Sequence, residues 1–87
     1  MPKPAHRLDV LGLFCPVPIL LAAREMQKLR PGDLLEVVGD DPGIREDMPA
    51  WCERAGHRLV ELVEEGGRIR SVVEKGQASR WRRRRGR

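Results

Sequence analysis

The sequence predicts an α+β fold: a two-layer α/β sandwich, ordered β-α-β-α-β-β, in which a mixed four-stranded sheet carries two helices on one face. Three observations predict it. Apolar and polar residues alternate around Leu8 and Val10 and again over 57–65, the two-residue period of a strand. Between these segments Ile19, Ala22, Ala23, Met26 and Leu29 recur at helical spacing. Finally, Gly66-Gly67 joins two strand-like runs, the signal of a hairpin. Two strand–helix alternations followed by a hairpin put both helices on the same side when successive strands step in one direction.

Taken in order, "HRLDV" (6–10) is a short strand, and Gly12 turns the chain after it. The first helix is expected from Pro16 to Leu29, with Arg24, Glu25, Gln27 and Lys28 on its polar side. Because the α region is disfavoured before a proline, Val17 argues for a first full turn at Pro18. Pro31 and Gly32 stop this helix. "LLEVV" (34–38) is apolar enough to be a buried parallel neighbour of the first strand. Asp41 is placed to cap the second helix, with Pro42 in its first position. Pro49 falls inside that helix, which must kink there or restart with Asp47 as a second cap; Gly56 ends it. Strands over 57–65 and 68–75 form the closing hairpin.

A chain of 87 residues allows one small domain, and with only Phe14, Trp51 and Trp81 as aromatics its core must be aliphatic. The net charge of +4 is misleading as a whole-chain figure. Six of the 17 basic residues lie in "RWRRRRGR" (80–87), which leaves 11 basic against 13 acidic groups before it. The body is nearly balanced and the basicity is a tail. The N-terminal stretch has no apolar run of signal-peptide length, and no segment approaches the ~20 apolar residues of a membrane span. The expected setting is therefore the cytoplasm, without membrane contact, where Cys15 and Cys52 stay reduced.

The chemistry centres on "GLFCPVP" (12–18), where Cys15 stands directly before two prolines spaced one apart. Proline has no N–H and its fixed φ suits a first helical turn, so this helix end needs little capping and presents the thiol on a stiff segment. Cys15 lies within one turn of a helix N-terminus, a position that favours thiolate. A dipole contribution of about 0.3–1 kcal/mol lowers a thiol pKa by roughly 0.2–0.7. The thiolate fraction near pH 7.4 then rises from roughly 7% to about 10–30%.

Several chemistries are excluded. A hydrolase needs a histidine with an orienting carboxylate, and none is legible near Cys15; His6 and His57 lie on predicted strands. No C-x-x-C is present, and two Cys with two His at these separations do not match zinc-ligand spacing, so neither metal nor cofactor is expected. A rigid, exposed thiol with no built-in base or resolving partner suits the holding of a group taken from one protein and offered to another. A sulfur atom held as persulfide fits, because a departing thiolate is its own leaving group.

Other residues have plainer readings. Cys52, beside Trp51, is a core thiol; His57 is structural; Asp40 and Asp41 cap or turn, although with Asp47 they are also candidates for partner selection. A Cys15–Cys52 disulfide remains a redox alternative. The arginine tail is a solvated segment or, in a second function class, the grip of a module that binds RNA or an acidic partner.

At these residues the sequence resembles the TusA (SirA-like) family of sulfur-carrier proteins. "LDVLGLFCPVP" (8–18), "PGD" (31–33) and "DDPGIREDMPAWCERAGHRLV" (40–60) are similar to its ordered blocks, with Leu8, Asp9, Gly12, Leu13, Cys15, Pro16, Pro18, Asp40, Asp41, Pro42, Asp47, Pro49, Trp51, Gly56 and His57 in place. The resemblance covers about 6–76. It implies a persulfide on Cys15, a cysteine desulfurase or rhodanese-type donor, and an acceptor sulfur-relay protein. It implies service in tRNA thiolation, molybdenum-cofactor metabolism or the handling of reduced sulfur, with no hydrolytic activity. The expected division is a TusA-like domain over 1–76 and a disordered arginine-rich tail over 77–87, which extends past the family's usual end.

Overall fold

A computed structural model describes Pro4 and residues 6–76. The arginine-rich segment expected to be disordered, 77–87, lies outside the described residues. Four strands and two helices follow in the expected order: β1 (His6–Val10), α1 (Val17–Met26), β2 (Leu34–Gly39), α2 (Ile44–Ala55), β3 (Arg58–Glu65) and β4 (Arg68–Glu74).

The strands lie side by side as β1-β2-β4-β3. β1 and β2 are parallel, with Val10 opposite Gly39, and β4 runs antiparallel to both β2 and β3. The insertion of β4 beside β2 follows from burial. Ile69, Ser71, Val72 and Val73 of β4 are all buried, whereas no residue of β3 is. The strand with more apolar surface to bury takes the centre, and charged β3 takes the edge, where charge discourages further pairing. Gly66 and Gly67 close the hairpin with φ of +58° and +80°, values that glycine adopts without strain.

Alternation along the sheet separates its two faces. Val10, Leu35, Val37, Ile69 and Val73 turn into the core, where Ile19, Ala22 and Met26 of α1 and Ile44, Met48, Trp51 and Cys52 of α2 complete one cluster. The opposite face carries a charge ladder in which Arg70 bridges Glu61 at 3.0 Å and Glu36 at 3.6 Å. The helical stripe read from the sequence is thus the buried one, with Ala23 and Leu29 packed at its margin.

Helix ends depart from expectation. α1 begins at Val17 rather than Pro18, because the Pro16 carbonyl accepts the N–H groups of Ile19 and Leu20, at 3.1 and 3.0 Å, and fixes the first turn there. α1 stops at Met26 rather than Leu29. Gln27, Lys28 and Leu29 donate three residues back, a tighter turn that ends the helix, and Lys75 Nζ donates to the Leu29 carbonyl at 2.6 Å. Asp41 does not cap α2 and Pro42 is not its first residue; the cap is Gly43. Pro49 neither interrupts α2 nor calls on Asp47 as a second cap. It lies, like Arg45 one turn before it, on the exposed side of the helix, where a missing N–H donor is tolerated.

Ser71 is fully buried on the core side of β4, and its hydroxyl has no hydrogen-bond partner. An orphaned buried polar group costs about 1–3 kcal/mol. Ser71→Ala is therefore expected to stabilise the fold by about 1 kcal/mol, a rise of roughly 4–8 °C in Tm by thermal denaturation. A lower Tm would show that the hydroxyl is satisfied in solution.

Candidate functional site

Because β1 and β2 are parallel and end together at Val10 and Gly39, the loops leaving them meet at one end of the sheet. The first carries Cys15 and the second carries Asp40, Asp41 and Gly43. Carboxylates tie the two loops. Gly12 N–H donates to Asp40 Oδ1 at 3.0 Å, and Cys15 N–H donates to Asp41 Oδ2 at 3.2 Å. The same Asp41 oxygen accepts the Gly43 N–H at 3.2 Å. Asp9 turns back onto the Leu11 N–H at 2.9 Å. Gly12, with φ +81°, makes the bend that brings the Cys15 loop over.

Gly43 matters for a reason that its sequence context does not advertise. A Cβ placed there would stand 2.8 Å from Asp41 Oδ2, 3.4 Å from Cys15 Cβ and 3.5 Å from Cys15 Sγ. The bare backbone at the head of α2 is what admits the thiol beside the carboxylate. Glycine is acceptable at a cap, but the close approach of Cys15 and Asp41 is a second reason for it here, one that reading Asp41 as a cap overlooked.

Cys15 is partly exposed, and Cys52 is buried; both are free thiols. The Cys15–Pro16 peptide bond is cis. On the Cys15 loop and the start of α1, large apolar side chains face solvent: Phe14 is 74% exposed, Leu20 62% and Val17 42%. Val17 and Leu20, three apart on α1, are neighbours on its surface. Large exposed apolar residues gathered at one place mark an interaction surface. Leu20 lies outside the buried stripe of α1, which is the clue the sequence held.

The expected thiolate bias is overturned. Cys15 is pushed up from an ordinary 9.0 to about 12, first by partial removal from water and then by the carboxylates of Asp41 and Asp47. Helix ends cannot offset this. Each lowers a thiol pKa by only roughly 0.2–0.7. Those of α1 also have little to offer, since Val17 N–H is taken by the Phe14 carbonyl at 3.0 Å, Pro18 has no N–H, and the next two are taken by Pro16. At neutral pH the resting group is the thiol. Cys52 is pushed up to about 11 by burial alone, as suits a core residue.

The remaining titratable candidates are structural. His57 Nδ1 accepts the Gly76 N–H at 3.0 Å, and its ring lies 5.1 Å from that of Trp51. Burial, then the nearby Lys75 charge, lowers its pKa below 6.5, so it is neutral in the fold. Its contribution is complete above pH ~6.5 and declines as pH falls below that, because the unfolded chain takes up the proton first. In urea unfolding, His57→Gln is expected to lose more stability relative to wild type at pH 7.5 than at pH 5.5. An equal loss at both would remove His57 from the pH dependence. His6 lies on β1, 2.9 Å from Glu25 on α1. Among the described residues, no three His, Cys, Asp or Glu side chains gather to hold a metal ion.

Comparison with known proteins agrees with this fold. The family model of sulfurtransferase TusA matches residues 6–75. The fold is similar to that of a SirA-like protein from Desulfitobacterium hafniense, with 24% sequence identity and a TM-score of 0.72 over 83% of this chain and 99% of that one.

Proposed function

The chain belongs to the TusA sulfurtransferase family, and from the sulfur-transfer role this carries we propose that it is a sulfur carrier whose Cys15 holds sulfane sulfur as a persulfide and relays it to an acceptor protein. The observation that supports the reading is the contrast between its two thiols. Cys52 is sealed in the core, while Cys15 stands at the joined ends of two parallel strands, rimmed by exposed Phe14, Val17 and Leu20. A partner can cover that rim and bring its own sulfur to Cys15.

The transfer is an exchange at sulfur. The Cys15 thiolate attacks the terminal sulfur of a donor R–S–SH; a new S–S bond forms, the donor S–S bond breaks, and the donor sulfur leaves as thiolate. The proton given up by Cys15 goes to that leaving group, so Cys15–SH and R–S–SH become Cys15–S–SH and R–SH with no net oxidation. The loaded residue then serves as R–S–SH toward the acceptor. Donors of the desulfurase or rhodanese type supply this chemistry. No helix in the described residues is long and apolar enough to cross a membrane, and the role is proposed for the cytoplasm, within a working domain of 1–76.

The test is incubation with a cysteine desulfurase and cysteine, followed by intact mass and peptide mapping. One added sulfur, removed by reductant and mapped to the Cys15 peptide, is expected. Sulfur on the Cys52 peptide, or none, would refute the assignment.

A further inference from the structure

Asp41 reaches Cys15 from the loop after β2, where its Oδ2 accepts the Cys15 N–H, and Asp47 acts on the thiol from the first turn of α2. Asp41 cannot swing away freely, because one of its oxygens holds the N–H groups of both Cys15 and Gly43. Asp47 lies on the exposed side of α2, open to a partner. The charged groups acting on the thiol among the described residues are these two carboxylates, both acidic. Other charges nearby are occupied: Asp40 with Gly12, Asp9 with Leu11, and Arg45 with Glu64 through two 2.7 Å bonds. The site thus opposes the form of Cys15 that its proposed reaction requires.

We infer that Asp41 and Asp47 are positioning residues that act as an electrostatic latch, holding Cys15 as the thiol until a sulfur-bearing partner sets a cationic side chain against them. This rests on the reading of Cys15 as the sulfur-accepting residue. The apolar rim gives a partner somewhere to sit, and the two carboxylates say what it must bring: a lysine or arginine beside its reactive sulfur. A cation there offsets the carboxylates, lets the proton leave, and admits attack on the sulfur that arrived with it. Disulfides without such a charge meet a protonated, poorly nucleophilic thiol, which keeps the empty carrier from forming mixed disulfides with the wrong partner.

The latch is tested with small disulfides on the full chain. Cystamine is cationic, 2-hydroxyethyl disulfide neutral and dithiodiglycolate anionic. Each reacts by the same exchange: Cys15 sulfur bonds to one reagent sulfur, the reagent S–S bond breaks, and the departing thiolate takes the proton. In wild type at low salt, cystamine is expected to react faster than dithiodiglycolate by at least about tenfold, and 0.5 M salt to shrink that margin. In Asp41→Asn/Asp47→Asn the margin is expected to fall to about threefold or less, and the midpoint of the alkylation pH profile to drop by about one pH unit or more. The tail arginines are common to both proteins and cancel in the comparison. Asp47→Asn alone touches none of the backbone hydrogen bonds and is the variant to use should the double variant fail to fold; it is expected to move both readouts in the same direction. An unchanged margin or an unchanged midpoint in a folded variant overturns the latch. Sulfur loading from a desulfurase is scored separately. A chain that takes no sulfur yet shows the charge preference defeats the carrier reading alone, and a chain that loads with no preference defeats the latch alone.

Discussion

Cys15→Ala is expected to take up no sulfur from a persulfide donor, while Cys52→Ala loads as wild type does. The two thiols differ in access rather than in intrinsic chemistry. Cys52 is 3% exposed within the core cluster of α2 and the sheet, so a donor's sulfur cannot reach it without unfolding the domain. Cys15 is partly exposed where two loops meet, and its neighbours Phe14, Val17 and Leu20 face solvent. Removing the Cys52 sulfur takes away about one buried methylene equivalent, about 1 kcal/mol, which the fold tolerates. Single-turnover loading followed by mass spectrometry separates the two variants. Loading of Cys15→Ala at the wild-type level would transfer the role elsewhere in the chain.

Met48→Ala is expected to be a strongly damaging core truncation. Met48 is fully buried on the face of α2 turned to the sheet, in one cluster with Ile44, Trp51 and Val73. Truncating a buried methionine costs about 2–5 kcal/mol. A domain of this size has roughly 4–11 kcal/mol in total. A fall in Tm of at least about 8 °C follows, and the fraction folded at 37 °C should drop visibly in circular dichroism. A loss of less than about 1 kcal/mol would mean that the α2–sheet contact is looser than its burial implies. Since α2 also carries Asp47 and abuts Cys15 through Gly43, the same variant is expected to change the thiol's alkylation profile.

Much of the molecule was legible before its coordinates. Alternation marked β1 and β3, the Ile19–Ala22–Met26 spacing marked the buried side of α1, and Gly66-Gly67 marked the hairpin, because each pattern reflects a local period that burial then rewards. Helix ends were less legible. Asp41 next to Pro42 reads as a cap from local preference, but in the fold its carboxylate serves Cys15, 26 residues away, as well as Gly43. Local propensity cannot register a partner that distant in the chain. The same limit explains Gly43, whose missing side chain matters only because another loop comes to rest against it.

The sequence by itself determined what stands at the site: one proline-braced thiol at a helix start, no histidine base or C-x-x-C partner beside it, and an order of elements that leaves the thiol on a loop between β1 and α1. Only the tertiary structure decided the state of that thiol. A helix start on its own argues for thiolate, whereas the parallel pairing of β1 with β2 partly buries Cys15 and brings Asp41 and Asp47 to it, and burial first, then the two carboxylates, hold it protonated. Helix-end effects act over one turn and are small; partial burial together with carboxylates at close range outweighs them, and both are set by how the strands pair.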